Sequence, residues 1–249
     1  RPKPQPMSST RAGGMIVNAA VMGIIAPLRY VLITDGMIEQ LGDARIEAVF
    51  GHEAGHVKRH HILFFLLFAL ISGCAVTIFS ARTNHLATDS IEFQIASVVI
   101  GLLLMLKWGV LFGWVSRRFE RQADMYGVRT LTLAGLPCTG NCILHASVDG
   151  GHAKNVSQAS LCNAAAHLFS DTLHEVAVLN GMSPDARSWR HGSISLRSRT
   201  LLKYAADPKA AARAERVVLQ IKLAIFGVAV LSSVWAAREV HLLHLLGIG

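Results

Sequence analysis

The sequence contains few charged residues and few cysteines, and each shortage argues against a class of protein. Only 16% of its 249 residues are charged, whereas soluble domains carry about a quarter. Its four cysteines are too few and too scattered for a disulfide-stabilised scaffold. The net charge of +8 comes without a basic block interleaved with aromatic residues, so we expect no nucleic-acid partner. A mean hydropathy of +0.41 favours a membrane protein instead.

The beginning of the chain also lacks the apolar stretch of a signal peptide. Residues 1–14 are polar and rich in proline, which predicts a flexible tether. Because the chain begins with Arg1 rather than methionine, we expect it to be a fragment or a trimmed product. Farther along, Cys138 and Cys142, followed by His145, could hold a second metal, but free thiols are the simpler interpretation.

Two long apolar runs, the first of them free of charge, predict membrane-spanning helices. Ile62–Ala81 is about 20 residues long, enough to cross a bilayer, and Ile95–Ser116 has a similar length. A pair of buried helices in a soluble core is the alternative. The link between the runs is slightly acidic and their outer ends are basic, so we expect a hairpin with both ends in the cytoplasm. The outer basic residues are Lys58, Arg59, Arg117, Arg118 and Arg121.

A third run, Val217–Ala237, is interrupted by Gln220 and Lys222. It predicts either another membrane span, preceded by a helix start at Asp207-Pro208, or a helix on the membrane surface or packed in the domain. Lys107 lies inside the second run, where its side chain either snorkels to the interface or faces protein or water.

The sequence His52-Glu53-Ala54-Gly55-His56 precedes the first apolar run. On a helix, which we expect to begin at Asp43 as N-cap, His52 and His56 lie on one face and can bind one metal ion. Glu53 points about 100° away, where it can reach a metal-bound water. This is the HExxH arrangement of zinc metalloproteases, with the glutamate as general base. The alternative is a surface helix with two solvated histidines.

A catalytic zinc ion needs a third protein ligand. Glu120 and Asp124 are four residues apart on a predicted helix that follows the second apolar run, on the same side of the membrane as His52 and His56. Glu120 can complete a His₂Glu set, and Asp124 can accept the second N–H of a ligating imidazole. The alternative is an ordinary helix end, with both acids paired to neighbouring arginines.

Shorter segments complete the predicted secondary structure. Met15–Met22 and Tyr30–Ile33 favour strands and form a plausible hairpin, followed by a turn at Thr34-Asp35-Gly36. Gln158–Leu179 is typical of an amphipathic helix. His60 and His61 are interpreted as marking the membrane interface.

Together these segments resemble the HtpX and CAAX-prenyl-protease group of membrane zinc metalloproteases. The resemblance implies a mainly α membrane protein: a zincin-like α+β catalytic domain with a small β-hairpin edge and transmembrane helices inserted after the HExxH helix. Two departures are Gly192, where the group usually has proline, and the absence of membrane spans before the first strand. The segments that carry the resemblance are Asn18-Ala19, Ile33–Gly36, Asp43–His61, Ser116–Asp124, and Trp189–Ser193 with Arg197.

The resemblance also implies roles for individual residues. One Zn²⁺ per chain is held by His52, His56 and Glu120, with Asp124 behind them and Glu53 as catalytic base. His191 and Arg197 help to position the substrate or the oxyanion, and Asn18 and Ala19 lie on the strand that binds substrate.

The implied domain organisation is a tether (1–14), two catalytic halves (15–61 and 117–206), a transmembrane hairpin (62–116) and a C-terminal helix (207–249). The predicted function is a zinc endopeptidase in a bacterial inner membrane, acting at its cytoplasmic face on protein or peptide substrates, either membrane or misfolded proteins. A non-catalytic scaffold that keeps the motif, and a narrow protease for lipidated substrates, are the alternatives.

Overall fold

The computed structural model describes residues 16–23, 26–133 and 161–245. The predicted tether and the Cys138–His145 segment lie outside these residues. The described part is mostly helical, with one two-stranded sheet. Its elements are β1 (Ala19–Met22), β2 (Tyr30–Ile33), α1 (Asp35–Gln40), α2 (Asp43–Lys58), α3 (His61–Thr83), α4 (Ile91–Leu106), α5 (Gly113–Leu133), α6 (Asn163–Leu179), α7 (Ile194–Ala206) and α8 (Pro208–Leu245).

The predicted hairpin is confirmed, although its first strand is shorter than the β-favouring run. Strands β1 and β2 are antiparallel, with Ala19 opposite Ile33 and Met22 opposite Tyr30. The turn predicted at Thr34-Asp35-Gly36 is wrong, because Asp35 begins helix α1 and Thr34 is its N-cap. Since Asp35 lies in the first turn, its carboxylate complements the positive end of the helix dipole.

Helix α2 covers the predicted segment, but its N-cap is Gly42 and Asp43 is its first residue. Asp43 therefore acts on the helix dipole from the first turn and does not cap the helix with its side chain. The helix ends at Lys58, and His60 adopts a left-handed conformation with φ of 55°. This residue breaks the helical path, so α3 begins at His61 in a new direction.

Three helical segments are long and apolar enough to cross a membrane: His61–Thr83, Ile91–Leu133 and Pro208–His241. A π-helical turn at Lys107–Phe112 joins α4 to α5 without interrupting the second segment. In the most apolar stretches of the three segments only 11%, 0% and 17% of the residues are buried within the protein. Helices in a soluble core would be covered by protein, so the soluble-core alternative is wrong.

Helix α8 starts as predicted. The Asp207 carboxylate accepts hydrogen bonds from the main-chain N–H groups of Lys209 and Ala210, at 2.9 and 3.1 Å. The helix then packs along α3 and α5, and Val218 and Ile225 join Phe68, Phe112 and Phe119 in one apolar cluster. The third apolar run is therefore one continuous long helix packed on the first span.

Lys107 faces protein. Its ammonium donates to the Phe68 carbonyl and to the Ser72 hydroxyl on α3, both at 2.5 Å. The Trp108 indole N–H donates to the same hydroxyl at 3.0 Å. The Lys107 ammonium of the second span thus finds its hydrogen-bond acceptors on the first span. These polar contacts join the two helices at membrane depth.

Small residues line the contact between helices α2 and α5 and bring their backbones together. A Cβ atom placed on Gly55 would lie 3.0 Å from the Ala123 Cα atom and 3.1 Å from its carbonyl oxygen. A Cβ atom on Gly127 would lie 3.1 Å from the His52 main-chain nitrogen. Larger side chains at these positions would separate the two helices, which carry the HExxH motif and the Glu120–Asp124 pair.

We expect Gly55→Ala to destabilise the protein by about 1–3 kcal/mol, because the new methyl group meets backbone atoms that cannot rotate away. The helix preference of alanine opposes this by only about 0.5–1 kcal/mol. Gly73→Ala in α3 is the control, since a Cβ atom there meets nothing within 4 Å. Thermal unfolding in detergent micelles measures both. A Gly55→Ala protein that unfolds at or above the parent temperature would contradict the tight contact.

Candidate metal centre

Helix α2 and helix α5 bring together three side chains that could hold a metal ion: His52, His56 and Glu120. The His52 and His56 Nε2 atoms are 3.2 Å apart. Glu120 Oε2 lies 3.5 Å from His52 Nε2, and Glu120 Oε1 lies 3.6 Å from His56 Nε2. As the sequence predicted, His52 and His56 of α2 therefore lie close to Glu120 of α5.

These distances fit a shared metal ion. Zinc ligands about 2.0–2.1 Å from the ion in a tetrahedron lie about 3.3 Å from one another, which matches the observed spacing. Among the described residues, buried Glu120 Oε2 has no hydrogen-bond partner. A buried carboxylate oxygen without a hydrogen bond is costly unless a cation compensates it. Arg197 Nη1 lies 3.4 Å from this oxygen and supplies part of that compensation, to which a metal ion would add. Two imidazole nitrogens and one carboxylate oxygen are also the donor set of catalytic zinc sites.

Asp124 and Arg197 lie directly behind His52. Asp124 Oδ1 is 2.9 Å from His52 Nδ1, as expected for the acceptor of a ligating imidazole. Arg197 on α7 holds the same carboxylate with two nitrogens, Nε at 3.0 Å and Nη2 at 2.5 Å. The two acids therefore do not pair with the arginines next to them in sequence. Both Asp124 and Arg197 are buried, so this two-point contact orients the carboxylate rigidly.

The two histidines have opposite protonation preferences in the metal-free protein. Burial lowers the pKa of His52, but the adjacent carboxylates of Asp124 and Glu120 outweigh it and raise the pKa to about 9. For His56, burial and the charge on His52 lower the pKa to about 4. Burial alone would lower the pKa of Arg197 too, yet Asp124 and Glu120 raise it. The buried acids thus favour positive charge beside them, on the Arg197 guanidinium and on the His52 imidazole.

Glu53 projects from α2 into a cleft of about 620 Å³ beside these residues. Burial raises the pKa of its carboxyl group above the ordinary value, although the charge on His52 offsets part of this change. The main-chain N–H of Val21 donates to Glu53 Oε2 at 3.4 Å. The carboxylate is therefore next to both the metal-ligand candidates and the edge of β1.

The cleft is apolar away from the polar centre. Its walls come from the hairpin, from α2, from α6 and from the start of the first membrane-spanning helix. The apolar lining includes Val49, Ile62, Phe65, Phe169, Leu173 and Val176. Because Ile62 and Phe65 belong to α3, the cleft lies where the hairpin, α2 and α6 meet a candidate membrane segment.

His191 reaches the centre from the segment before α7. Its Nδ1 atom lies 2.9 Å from Glu120 Oε1, and its side chain is 46% exposed. The backbone at position 192 explains why this chain has glycine where the resembled group usually has proline. Gly192 has a φ of +77°, and its N–H donates to the Ser188 carbonyl at 2.8 Å. Proline has φ near −65° and no N–H, so it could form neither feature. The loop that presents His191 is thus closed by a hydrogen bond between Gly192 and Ser188 that requires glycine at position 192.

Asn18 and Val21 of the first strand segment line the cleft. The Asn18 main chain is already paired with Thr34, whose N–H donates to the Asn18 carbonyl at 3.0 Å. Since main-chain groups alternate in direction along a strand, those of Ala19 and Val21 point away from β2. The Asn180 side chain closes the same edge at Val17, accepting from its N–H at 3.1 Å and donating to its carbonyl at 2.8 Å.

His61 is the main residue that the sequence interpretation misplaced. It does not mark an interface: it is fully buried, and its Nδ1 atom lies 3.0 Å from His56 Nδ1. Its Nε2 atom lies 3.0 Å from Gln122 Oε1. Spacing gave no signal for this contact, because residues five apart do not share a face of a continuous helix. The left-handed His60 turns His61 back towards His56.

Comparison with known proteins finds the same family relationship that the motifs indicate. The sequence model of peptidase family M48 matches residues 4–140. A protease HtpX homolog of Methanopyrus kandleri is 31% identical over 105 residues, 42% of this chain and 32% of that protein. One from Archaeoglobus fulgidus is 29% identical over 118 residues, 45% of this chain and 34% of that protein.

A bacterial relative gives a similar result. Protease HtpX of Thioalkalivibrio sulfidiphilus is 27% identical over 124 residues, 45% of this chain and 41% of that protein. The match therefore spans less than half the length of each of these curated relatives. No solved structure matches the chain.

We expect Glu120→Gln to lower zinc affinity by more than about 100-fold, because it removes the only anionic ligand candidate among the three while keeping the side-chain shape. Glu39→Gln is the control, since Glu39 is exposed on α1. Bound zinc after dialysis and competition with a chromogenic chelator measure the change. If Glu120→Gln retains stoichiometric zinc at parental affinity, Glu120 is not a ligand.

Proposed function

The chain belongs to peptidase family M48, and on that premise we propose that it is an integral-membrane zinc endopeptidase. The observation that carries this proposal is the approach of His52, His56 and Glu120 to within 4.8 Å of one another beside Glu53. The three helical segments able to span a membrane support a bilayer location. The substrates we propose are membrane or misfolded proteins.

His52, His56 and Glu120 would hold the zinc ion. When bound there, zinc supplies Lewis acidity and lowers the pKa of a coordinated water. Glu53 accepts the proton of the attacking water and then returns it to the leaving amine. Its partial burial supports this role, because a raised pKa makes the carboxylate a stronger base than an exposed one.

We assign different tasks to His191 and Arg197. His191 is half exposed at the mouth of the cleft, so its imidazole can turn from Glu120 to donate to the oxyanion of a peptide carbonyl. Arg197 is buried behind Glu120 and Asp124, which supports a positioning role for the guanidinium. Asp124 in turn orients the His52 ring.

The substrate would add a strand to the outer edge of β1. The Ala19 main chain and the Val21 carbonyl offer the groups for this pairing, which requires little particular sequence. The Asn180 amide already occupies the edge at Val17, so pairing would be limited to the stretch beside Glu53. The apolar wall of the cleft favours substrates with a large apolar side chain near the cleaved bond.

The proposed orientation places the centre at the cytoplasmic face of a bacterial inner membrane. Basic residues at the outer ends of the first two spans support it, because such residues are enriched on the cytoplasmic side. Ile62 and Phe65 of α3 line the cleft, so a substrate segment leaving the bilayer could enter directly. Exposed loops of membrane proteins would therefore be accessible substrates.

The central test is Glu53→Gln. We expect this variant to keep zinc but to cleave casein at least about 100-fold more slowly, because the amide cannot accept the proton from water. Glu47→Gln is a matched control on the exposed face of α2. Chelator should abolish cleavage by the parent and the control. Undiminished chelator-sensitive proteolysis by Glu53→Gln would refute the mechanism.

The strand-addition proposal predicts an alternating pattern with backbone-modified peptides. N-methylation at successive positions around the cleaved bond should raise KM strongly only at every second residue, because alternate N–H groups face β1. The intervening positions act as internal controls. Steady-state kinetics measure the effect, and a uniform response along the peptide would argue against pairing with β1.

A further inference from the structure

We propose that His61 is a positioning residue that fixes the tautomer and ring orientation of His56. Helix α8 determines, through Gln122, which nitrogen of His61 carries the proton. This inference rests on the proposed role of His56 as a zinc ligand. It concerns His61, Gln122, Lys222 and Glu215, a connected set of side chains that lies behind the candidate metal centre. We call this set the polar relay.

The polar relay starts from a rigidly held His61 ring. The side chain is fully buried and stacks on Phe119, with ring centroids 4.4 Å apart and planes 7° from parallel. Its two nitrogens face different partners, His56 Nδ1 and Gln122 Oε1, each at 3.0 Å. Stacking therefore leaves the ring little freedom to exchange these partners.

The orientation of the Gln122 amide follows from two charged neighbours on α8. The Lys222 ammonium can only donate, and it lies 2.9 Å from Gln122 Oε1. The Glu215 carboxylate accepts, and its Oε2 atom lies 2.5 Å from Gln122 Nε2. An inverted amide would oppose both charges, so the oxygen must face His61.

The positions of the protons follow from this orientation. Because Gln122 Oε1 accepts, His61 Nε2 must donate, and Nδ1 of the neutral ring is then an acceptor. His56 must therefore carry its hydrogen on Nδ1 and donate it to His61. The lone pair of His56 Nε2 then points towards His52 and Glu120, where a metal would bind.

The charged side chains of α8 also contact α5 and the end of α2. Glu215 accepts from Arg129 of α5 at 2.9 Å and from Arg59, just after α2, at 3.3 Å. Lys222 also donates to the Arg59 carbonyl at 2.7 Å. Glu215 and Lys222 are two helical turns apart on one face of α8. The C-terminal helix thus acts on the metal ligand through contacts that a lipid-facing anchor would not need.

Zinc affinity of His61 variants tests the proposal. An asparagine oxygen can take the place of imidazole Nδ1, whereas a glutamine amide reaches the place of Nε2 and leaves His56 without an acceptor. We expect His61→Gln and His61→Phe to weaken zinc binding about 10–100-fold, and His61→Asn to stay within about threefold of the parent. Competition with a chromogenic chelator gives the affinities, and thermal unfolding in micelles checks folding.

A second measurement needs neither zinc nor cleavage. The ¹⁵N chemical shifts of His56 in the metal-free parent should report the Nδ1–H tautomer, and Lys222→Met should shift the population towards Nε2–H. An Nε2–H tautomer in the parent overturns the proposal, even if every variant fails to fold. Parental zinc affinity in folded His61→Phe overturns it as well.

These outcomes are distinguishable from failure of the proposed function. If zinc binds in a His61-dependent way and casein remains uncut, the relay stands and the protease proposal fails. If the parent binds no zinc, the proposed function fails, and the His56 tautomer still decides whether the relay operates.

Discussion

The close contact between helices α2 and α5 is the constraint on which the candidate metal centre depends. Gly55 and Gly127 allow backbone atoms to meet where any larger residue would intervene. At this separation the Glu120 carboxylate of one helix comes within 3.5 and 3.6 Å of the two imidazoles of the other. The glycine within the HExxH motif is therefore part of the site geometry, because it determines how near Glu120 can come.

Electrostatic balance explains why the buried acids are stable beside the histidines. Glu120 and Asp124 bring two negative charges into a buried site, and Arg197 compensates one of them. The remaining charge attracts either a proton on His52 or a metal cation. Each candidate ligand histidine also has a fixed partner behind it, Asp124 for His52 and His61 for His56. Such partners hold the rings in place before any ion arrives.

Membrane segments and catalytic segments form one packed unit in the described part of the chain. Helix α5 continues the second apolar segment into the site, and α3 contributes Phe65 to the cleft. Helix α8 packs on α3 and also bears the charged residues that orient Gln122. This continuity accounts for Lys222, one of the polar residues that interrupt the apolar run of α8.

The sequence alone determined the features that repeat locally: the apolar spans, the hairpin, and the pairing of His52 with His56 and of Glu120 with Asp124 by helical period. Spacing could not reveal His61, because the left-handed His60 redirects it, or Asn180, which meets Val17 from 163 residues away. Tertiary structure alone decided that Arg197 neutralises Asp124 and that α8 reaches the centre. Periodicity describes one element at a time, whereas these contacts depend on how closely several helices pack.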